Sequence, residues 1–357
     1  RDSSVTGVQT CALPILYNVK TQEDVNDLNN LGFRGQLLYT PTGSLTISLA
    51  ADYTQQRPRG YAQVVVGVAP TLRPANRQWA AIAADLKYTP PSWNPFDRLI
   101  DTDTSWRSKQ DMGGTSLTVN WAKGKGVLTA ITAWRFWNWD PSNDRDFIGL
   151  PVTTVSAAPS QHTQWTQEVR YAGSINSRLN YLVGTFTFHQ QLNPWPYHKQ
   201  EQGAAAARFL LAPNALAATP GLLDGYGQNI WFDYTNTSTA AFGQVEYALT
   251  RRLRLIPGLR YNYDQKYLNY DQTVYGGLQT TDPALIALQR SILSPLKYKT
   301  DIGDHNVSGQ MTVAHKTTEW FNSYATFSTG FKSVGLNLGG VPTDASGNPV
   351  LSAATVK

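Results

Sequence analysis

The feature that most constrains this chain is a two-residue alternation that recurs in pairs of stretches, each about ten residues or longer. In TQEVRYAGSINSRLNYLVGTFTFHQQ (166–191), Val169 and Tyr171 continue the parity of Trp165, while Thr166, Glu168 and Arg170 take the other. A cluster of small and polar residues at 173–177 interrupts the pattern, and Leu182, Phe186 and Phe188 then mark a second apolar parity. A period of two is that of a strand whose side chains point alternately to opposite faces, so this stretch predicts a hairpin. Four more follow the same form, at 33–55, 115–137, 239–266 and 305–331, which predicts five hairpins and ten strands. Helical periodicity is confined to short pieces between them.

The joins alternate as well. Those inside hairpins are short, whereas those between hairpins run over 56–108, 139–161, 191–236 and 269–304. Structureless loops of that length are foreign to a compact domain. They are expected of an outer-membrane barrel, with its short periplasmic turns and long outer loops. Composition points the same way. Charged residues are 15 % of the chain, against about 25 % in ordinary soluble domains. The longest apolar piece, AAAARFLLAPNALAA (204–218), holds an arginine and a proline, so no stretch reaches the ~18 apolar residues of a spanning helix. In hydrocarbon only helices and closed sheets satisfy every backbone group. The predicted fold class is therefore all-β, an antiparallel up-and-down transmembrane β-barrel, present here as an incomplete sheet of about ten strands. Such a sheet would be open and twisted, with two unpaired edges.

Parity assigns the faces. Leu45, Ile47, Leu49, Val119, Trp121, Trp165, Val169, Leu182, Phe186, Val245, Tyr247, Leu255, Leu259 and Tyr261 are expected on one lipid-facing side. Tyr39, Tyr53, Trp121, Trp134, Tyr171, Tyr261 and Tyr263 would form the headgroup girdles. Glu168, Arg170, Glu246, Arg254 and Arg260 are expected as lumen-facing charges. At Thr250-Arg251-Arg252 a three-residue turn would pair Tyr247 with Leu255 and set Glu246 opposite Arg254.

Other chemistries find little support. The net charge of +5 is dispersed, unlike the concentrated basic face that nucleic acid requires. The single cysteine, Cys11, excludes a disulfide framework. The five histidines, at 162, 189, 198, 305 and 315, lack metal-site spacing and are read as loop or strand surface. Asp101 and Asp103, with Asp97 nearby, lack the glycine and distal glutamate of a calcium loop and are read as solvated. No nucleophile–base pair or phosphate cradle is present, so no enzyme activity, catalytic residue, metal or cofactor is expected. Aromatic loop pieces remain. NPWPYHK (193–199) and GQNIWFDY (227–234) offer Trp195, Tyr197, Trp231 and Tyr234 as candidate ligand contacts, while WRFWNWD (134–140) reads as girdle.

Five segments resemble hairpins of TonB-dependent outer-membrane receptors: LGFRGQLLYTP (31–41), LTAITAWRFWNWD (128–140), TQEVRYAG with LNYLVGTFTF (166–188), AAFGQVEYALTRRLRLIPGLRYNYDQK (240–266) and SYATFSTGFKSVGLN (323–337). The resemblance extends over roughly 17–340. It implies a 22-stranded barrel around an N-terminal plug in the outer membrane of a Gram-negative bacterium. It also implies uptake of a scarce nutrient, most readily a ferric siderophore, driven by the TonB-ExbB-ExbD system. A passive porin and a soluble β-rich adhesin or lectin are the alternatives. This sequence shows no plug or TonB box and none of the family's last strands, so 16–357 is expected to be the middle of a longer barrel protein. Residues 1–15, RDSSVTGVQTCALPI, resemble translated sequencing-adapter sequence and are expected to have no partner in the sheet.

Overall fold

The structure, a computed structural model, describes residues 2–12, 15–344 and 348–352. In chain order its strands are β1 (Asp2–Ala12), β2 (Leu16–Asn18), β3 (Glu23–Val25), β4 (Leu28–Thr42), β5 (Leu45–Gln56), β6 (Leu99–Ile100), β7 (Arg107–Lys123) and β8 (Gly126–Ser142). They continue with β9 (Thr153–Ala157), β10 (Ser160–Asn176), β11 (Leu179–Pro194), β12 (His198–Gln202), β13 (Gly227–Ala248), β14 (Leu253–Tyr275), β15 (Leu296–Lys316) and β16 (Asn322–Ser328). The helices, α1 (Trp79–Asp85), α2 (Ala206–Leu210) and α3 (Pro283–Ile292), all lie in the long connections. One antiparallel sheet runs β1-β4-β5-β7-β8-β10-β11-β13-β14-β15-β16, with β9 and β12 added beside β8 and β13. Strands β2, β3 and β6 form a small separate sheet. The five predicted hairpins are all present, and β1 and β16 lie at the two ends of an open path.

Each hairpin turns tightly at one end. Between β7 and β8 the turn is Gly124-Lys125, with Lys123 facing Gly126. Gly124 has φ +65, a left-handed conformation that glycine adopts without a steric penalty and that two-residue hairpins need.

Register fixes the faces, since residues directly opposite in an antiparallel pair point the same way. One row crosses nearly the whole sheet: Tyr39–Ile47, Ile47–Val119, Val119–Ala130, Ala130–Val169, Val169–Thr185, Thr185–Ala241, Ala241–Tyr261 and Tyr261–Val307. This face is apolar and exposed: Leu259 is 68 %, Val307 65 % and Trp165 53 % accessible. Twelve of the fourteen residues expected on it are there. Leu182 and Phe186 are not, because they oppose Ala172 and Glu168 and so point to the polar side. The cause is a bulge. The two-residue turn pairs Asn176 with Leu179, but Ile175 is an extra residue and Ser174 pairs with Asn180. One inserted residue reverses the parity of everything beyond it. Val183, Thr185 and Thr187 therefore occupy the apolar face.

The turn at 250–252 keeps the odd register, with Tyr247 opposite Leu255. Thr250 Oγ1 holds the turn by accepting N–H bonds from Arg252 at 3.1 Å and Leu253 at 3.0 Å. The residue directly opposite Arg254 is Ala248, not Glu246. Glu246 lies on the adjacent diagonal of the same face and accepts a 2.7 Å bond from Arg254 Nη1.

Three expectations need correction. Residues 227–236 are not loop but the first part of β13, paired with β14 from Gly227 onward. β14 and β15 likewise extend to Tyr275 and from Leu296, because alternation in polar and aromatic residues continues a ladder that lipid no longer requires. Residues 2–12 form β1 and pair along β4 from Asp2–Leu38 to Ala12–Leu28. The adapter reading of 1–15 therefore has no support from their placement; 1, 13 and 14 lie outside the described residues. An edge such as β4 carries unpaired N–H and C=O groups that any extended neighbour can satisfy.

Above the sheet the long connections pack on one another. Leu222, Leu223, Leu285 and Leu293 bury together with Tyr226, whose hydroxyl donates to Leu293 O at 2.7 Å. Asp282 caps α3, accepting from Ala284 N at 2.8 Å ahead of Pro283 in the first turn.

Candidate functional site

By register Glu168, Arg170, Glu246, Arg254 and Arg260 share the face opposite the apolar row. Arg170 donates to Glu168 at 2.6 Å, and Arg135 holds Asp52 by two bonds of 2.8 Å. Arg260 is cradled between the rings of Phe186 and Phe242, 5.5 Å from each centroid, and its Nε donates to Asn262 at 2.8 Å. Phe186 can take this part only because the bulge turned it inward. Two aromatic faces hold a guanidinium by cation–π attraction while leaving its outer nitrogens available. Further along β14, Asn262, Asp264, Lys266, Leu268 and Tyr270 are buried on the same face. The last strand ends at Ser328, and residues 329–342 cross this wall. Leu336, Leu338 and Val341 pack against Phe232, Leu268 and Tyr298. Lys266 Nζ donates to Val334 O, and Tyr298 OH donates to Asn337 O and Leu338 O.

Toward the long loops the polar face becomes aromatic. Register places Trp137 beside His162 and Trp139 beside Ser160, on the face opposite Trp134 and Phe136. The rings of Trp137 and Trp139 stack at 5.4 Å and 14°, and Trp137 lies 5.0 Å from His162. Both indoles are fixed by hydrogen bonds, Trp137 Nε1 to Gln110 Oε1 at 3.0 Å and Trp139 Nε1 to Ser108 Oγ at 2.9 Å. Next to them His198 Nε2 and Ser160 Oγ are 3.0 Å apart, and Phe232 meets the His198 ring edge-on at 5.2 Å. Burial holds the His198 pKa below its usual value, favouring neutral imidazole.

A cavity of about 540 Å³ opens here, within the size range of small-molecule sites. Trp139, Trp106, Tyr61 and Phe147 supply rings, with Ser142, Asn143, Gln228 and His198 among its polar lining. Trp106 is buried and locked by its Nε1 bond to Thr102 Oγ1 at 2.7 Å. Gly60, at φ +73, lies against that ring so closely that a Cβ would meet it at 2.6 Å. The segment 134–140, read as girdle, is thus divided: its even residues are on the apolar face and its odd tryptophans line the inner one. The signal was in the sequence, where the aromatics change parity between Phe136 and Trp137.

The four aromatics singled out from sequence do not converge. Trp195 and Tyr197 are exposed in the connection after β11, 69 % and 46 % accessible. Trp231 opposes Asp271 and Tyr234 opposes Leu268, so the two lie on opposite faces of the sheet; Tyr234 packs among the residues around Leu268.

Asp101 and Asp103 are not in a solvated loop. Asp144, fully buried, accepts N–H bonds from Asp103 at 3.0 Å, Asp146 at 3.1 Å and Phe147 at 2.7 Å. Asp146 accepts from Thr153 N at 2.8 Å. This carboxylate cluster ties the connection after β5 to that after β8. Burial, with the charge of Asp144, pushes the Asp103 carboxyl up to about 6 and the Asp146 carboxyl up to about 8. Among the described residues no group of three or more His, Cys, Asp or Glu side chains is placed to hold a metal ion. His162 and His198 are half-buried on the inner wall rather than surface residues, whereas His189, His305 and His315 are exposed.

Residues 52–357 match the family described as TonB dependent receptor-like, beta-barrel. Comparison with curated proteins found no match. The fold is similar to that of the ferric yersiniabactin uptake receptor FyuA of Yersinia pestis, with 17 % identity and a TM-score of 0.64, covering 96 % of this chain and 43 % of that one. The ferric-catecholate import receptor Fiu of E. coli K12, in its closed form, aligns at 11 % identity and a TM-score of 0.56, covering 91 % of this chain and 46 % of that one. The copper transporter OprC aligns at 12 % identity and a TM-score of 0.51, over 91 % and 40 %. The chain thus spans less than half the length of these structures, and they share its fold. With a family match over most of its length and a sheet that divides an aromatic-banded apolar face from a charged and polar one, this chain belongs to the TonB-dependent receptor β-barrel family.

Proposed function

We propose that this chain forms part of the barrel wall of an outer-membrane receptor that imports a scarce nutrient, a ferric siderophore, into a Gram-negative cell. The observation that carries this reading is the continuous row from Tyr39 to Val307, which gives one lipid-compatible face across eight strand pairs. The opposite face carries ion pairs and aromatics that only a polar interior accommodates. Glu168, Arg170, Glu246, Arg254 and Arg260 face the lumen in this reading, and the TonB-ExbB-ExbD system supplies the energy. The ferric substrate is suggested by the relatives FyuA and Fiu, receptors for ferric yersiniabactin and ferric catecholates. Trp195 and Tyr197, on the loop side, are proposed as outer contacts for an incoming ligand; Tyr234, packed under residues 329–342, is assigned a wall role. The test is uptake of radiolabelled iron, carried by a panel of siderophores, into cells producing the receptor with and without functional TonB. Accumulation that requires both is expected. Equal accumulation without TonB would point to a passive pore, and no accumulation of any ferric complex would remove the iron substrate.

A further inference from the structure

The short turns carry a charge that the rest of the molecule lacks. All five hairpins close at one end of the sheet, and their turns follow one another along its path from β4–β5 to β15–β16. Lys123, Lys125, Arg178, Arg251, Arg252 and Lys316 lie in or beside the last four of these turns, and all six are exposed. The one carboxylate in the turns is Glu319, which accepts a 2.7 Å bond from Lys316. Just inside the strands, Arg254 and Glu246 neutralise each other at 2.7 Å. Of the 30 lysines and arginines and the 25 aspartates and glutamates in the chain, this end takes six and one, so the remainder holds 24 of each. The formal net charge of +5, dispersed along the sequence, is thus gathered by the topology on a single rim.

Nothing within the chain answers that charge. Among the described residues Lys125, Arg178, Arg251 and Arg252 pair with no carboxylate, since the two acids nearby are taken by Arg254 and Lys316. Neighbouring turns are two strand spacings, ~10 Å, apart, about one Debye length at 0.1 M salt. Cations at that spacing repel one another, so the rim is destabilised unless an anion outside the protein meets it. Position identifies the anion. Lys123, Arg178 and Arg251 stand two, three and four residues beyond Trp121, Tyr181 and Tyr247, aromatics of the apolar face. At ~3.3 Å per residue and a tilt near 45°, that is roughly 5–9 Å outward of the rings. Rings of this kind mark the boundary between hydrocarbon and headgroups, so the cations reach the level of lipid phosphates. Lys123 Nζ lies over the Trp121 ring, 4.3 Å from its centroid, which holds that ammonium on the lipid side of the rim.

We infer that this rim binds anionic phospholipid headgroups, with phosphodiesters seated between the cations of neighbouring turns, and so anchors the wall in the leaflet on the turn side. The inference goes beyond the import reading. It depends on which face meets lipid and not on what is carried.

The test uses the complete receptor that contains this chain, reconstituted in phosphatidylcholine vesicles that hold a trace of spin-labelled phosphatidylglycerol or spin-labelled phosphatidylcholine. The fraction of each label immobilised by the protein gives their relative affinity. At about 0.1 M salt phosphatidylglycerol should be favoured about two- to fivefold, from the attraction of surface cations for anionic lipid diluted by boundary lipid elsewhere. Combining Lys125→Gln, Arg178→Gln, Arg251→Gln and Arg252→Gln should remove the preference. Combining Arg178→Lys, Arg251→Lys and Arg252→Lys should keep it, as should Lys297→Gln with Lys299→Gln at the loop end. The inference is overturned if the unaltered receptor shows no preference, if the four glutamines leave it in place, or if the loop-end pair abolishes it. It is also overturned if the preference persists at about 1 M salt, where the Debye length falls to ~3 Å; that comparison needs no variant and stands even if one fails to fold. Retention on peptidoglycan sacculi, lost with the four glutamines and without any lipid preference, would assign the rim to the cell wall and overturn the inference as well.

Discussion

The bulge at Ile175 makes a prediction that opposes the plain reading of the sequence. By composition Leu182 belongs in lipid and Thr185 in a polar interior; by register the reverse holds, because Thr185 faces Val169 and Ala241 while Leu182 faces Ala172 and Gln244. Thr185 lies six residues above Leu179 at the base of β11. At ~3.3 Å per residue and a tilt near 45°, that is roughly 14 Å above the turn, close to the middle of a ~25 Å apolar band. Aromatic rows bracket it, with Tyr171 and Tyr181 at 5.9 Å below and Trp165 opposite Trp134 above. Thr185→Arg therefore places a guanidinium near the bilayer midplane, at a cost of ~2–4 kcal/mol. Leu182→Arg places it on the polar face, one diagonal from Glu246, which lies opposite Asn180. Its cost should be less than about 1 kcal/mol, since an accessible ion pair recovers ~0.2–1 kcal/mol. Urea unfolding of the vesicle-inserted receptor, followed by tryptophan fluorescence, measures both. A larger loss for Leu182→Arg than for Thr185→Arg would refute the bulge-shifted register.

Other consequences are smaller or more local. A double-mutant cycle on Glu246 and Arg254, both accessible, should give a coupling of ~0.2–1 kcal/mol that shrinks in high salt; zero coupling at low salt would show that the pair does not form. Gly60→Ala should displace the Trp106 ring, through both the left-handed φ and the 2.6 Å contact, and raise hydrogen exchange in residues 57–106; unchanged exchange would contradict the packing described. The raised Asp103 and Asp146 carboxyls bind protons in the folded state that they would release on unfolding. Loop stability should therefore be highest near pH 4 and fall as pH rises through about 6 and on toward about 8. Limited proteolysis between 143 and 159 should accelerate over that window, and Asp146→Asn should flatten the upper part of the trend. Acceleration toward acid instead would reverse the sign.

Much of the fold was legible because the period of two is enforced by lipid on one side and polar groups on the other. The ten hairpin strands, their order and the face of residues such as Ile47, Val119, Val169, Tyr247 and Tyr261 follow from that alone. Ile175 was not legible: a bulge leaves no compositional mark in a polar turn, yet one residue reverses the faces of Leu182, Phe186 and Phe188. The upper ends of β13, β14 and β15 were read as loop because, beyond the membrane, hydrogen bonding maintains the ladder without apolar alternation. The cavity was missed for a different reason. It assembles Tyr61, Trp106, Trp139 and Phe147 from segments far apart in sequence, and no local pattern joins them.

The central claim is that the apolar face meets lipid and the polar face a lumen. Its most direct test places single spin labels at positions 304–313 of β15, in a Cys11→Ser background, and compares collisions with oxygen and with a water-soluble nickel complex in lipid vesicles. Tyr261 opposite Val307 and Arg260 opposite Ser308 set the phase. Labels at His305, Val307, Gly309, Met311 and Val313 should be accessible to oxygen and shielded from nickel, with the opposite at Asp304, Asn306, Ser308, Gln310 and Thr312. An inverted phase, or equal accessibility along the strand, would contradict the assignment of the two faces.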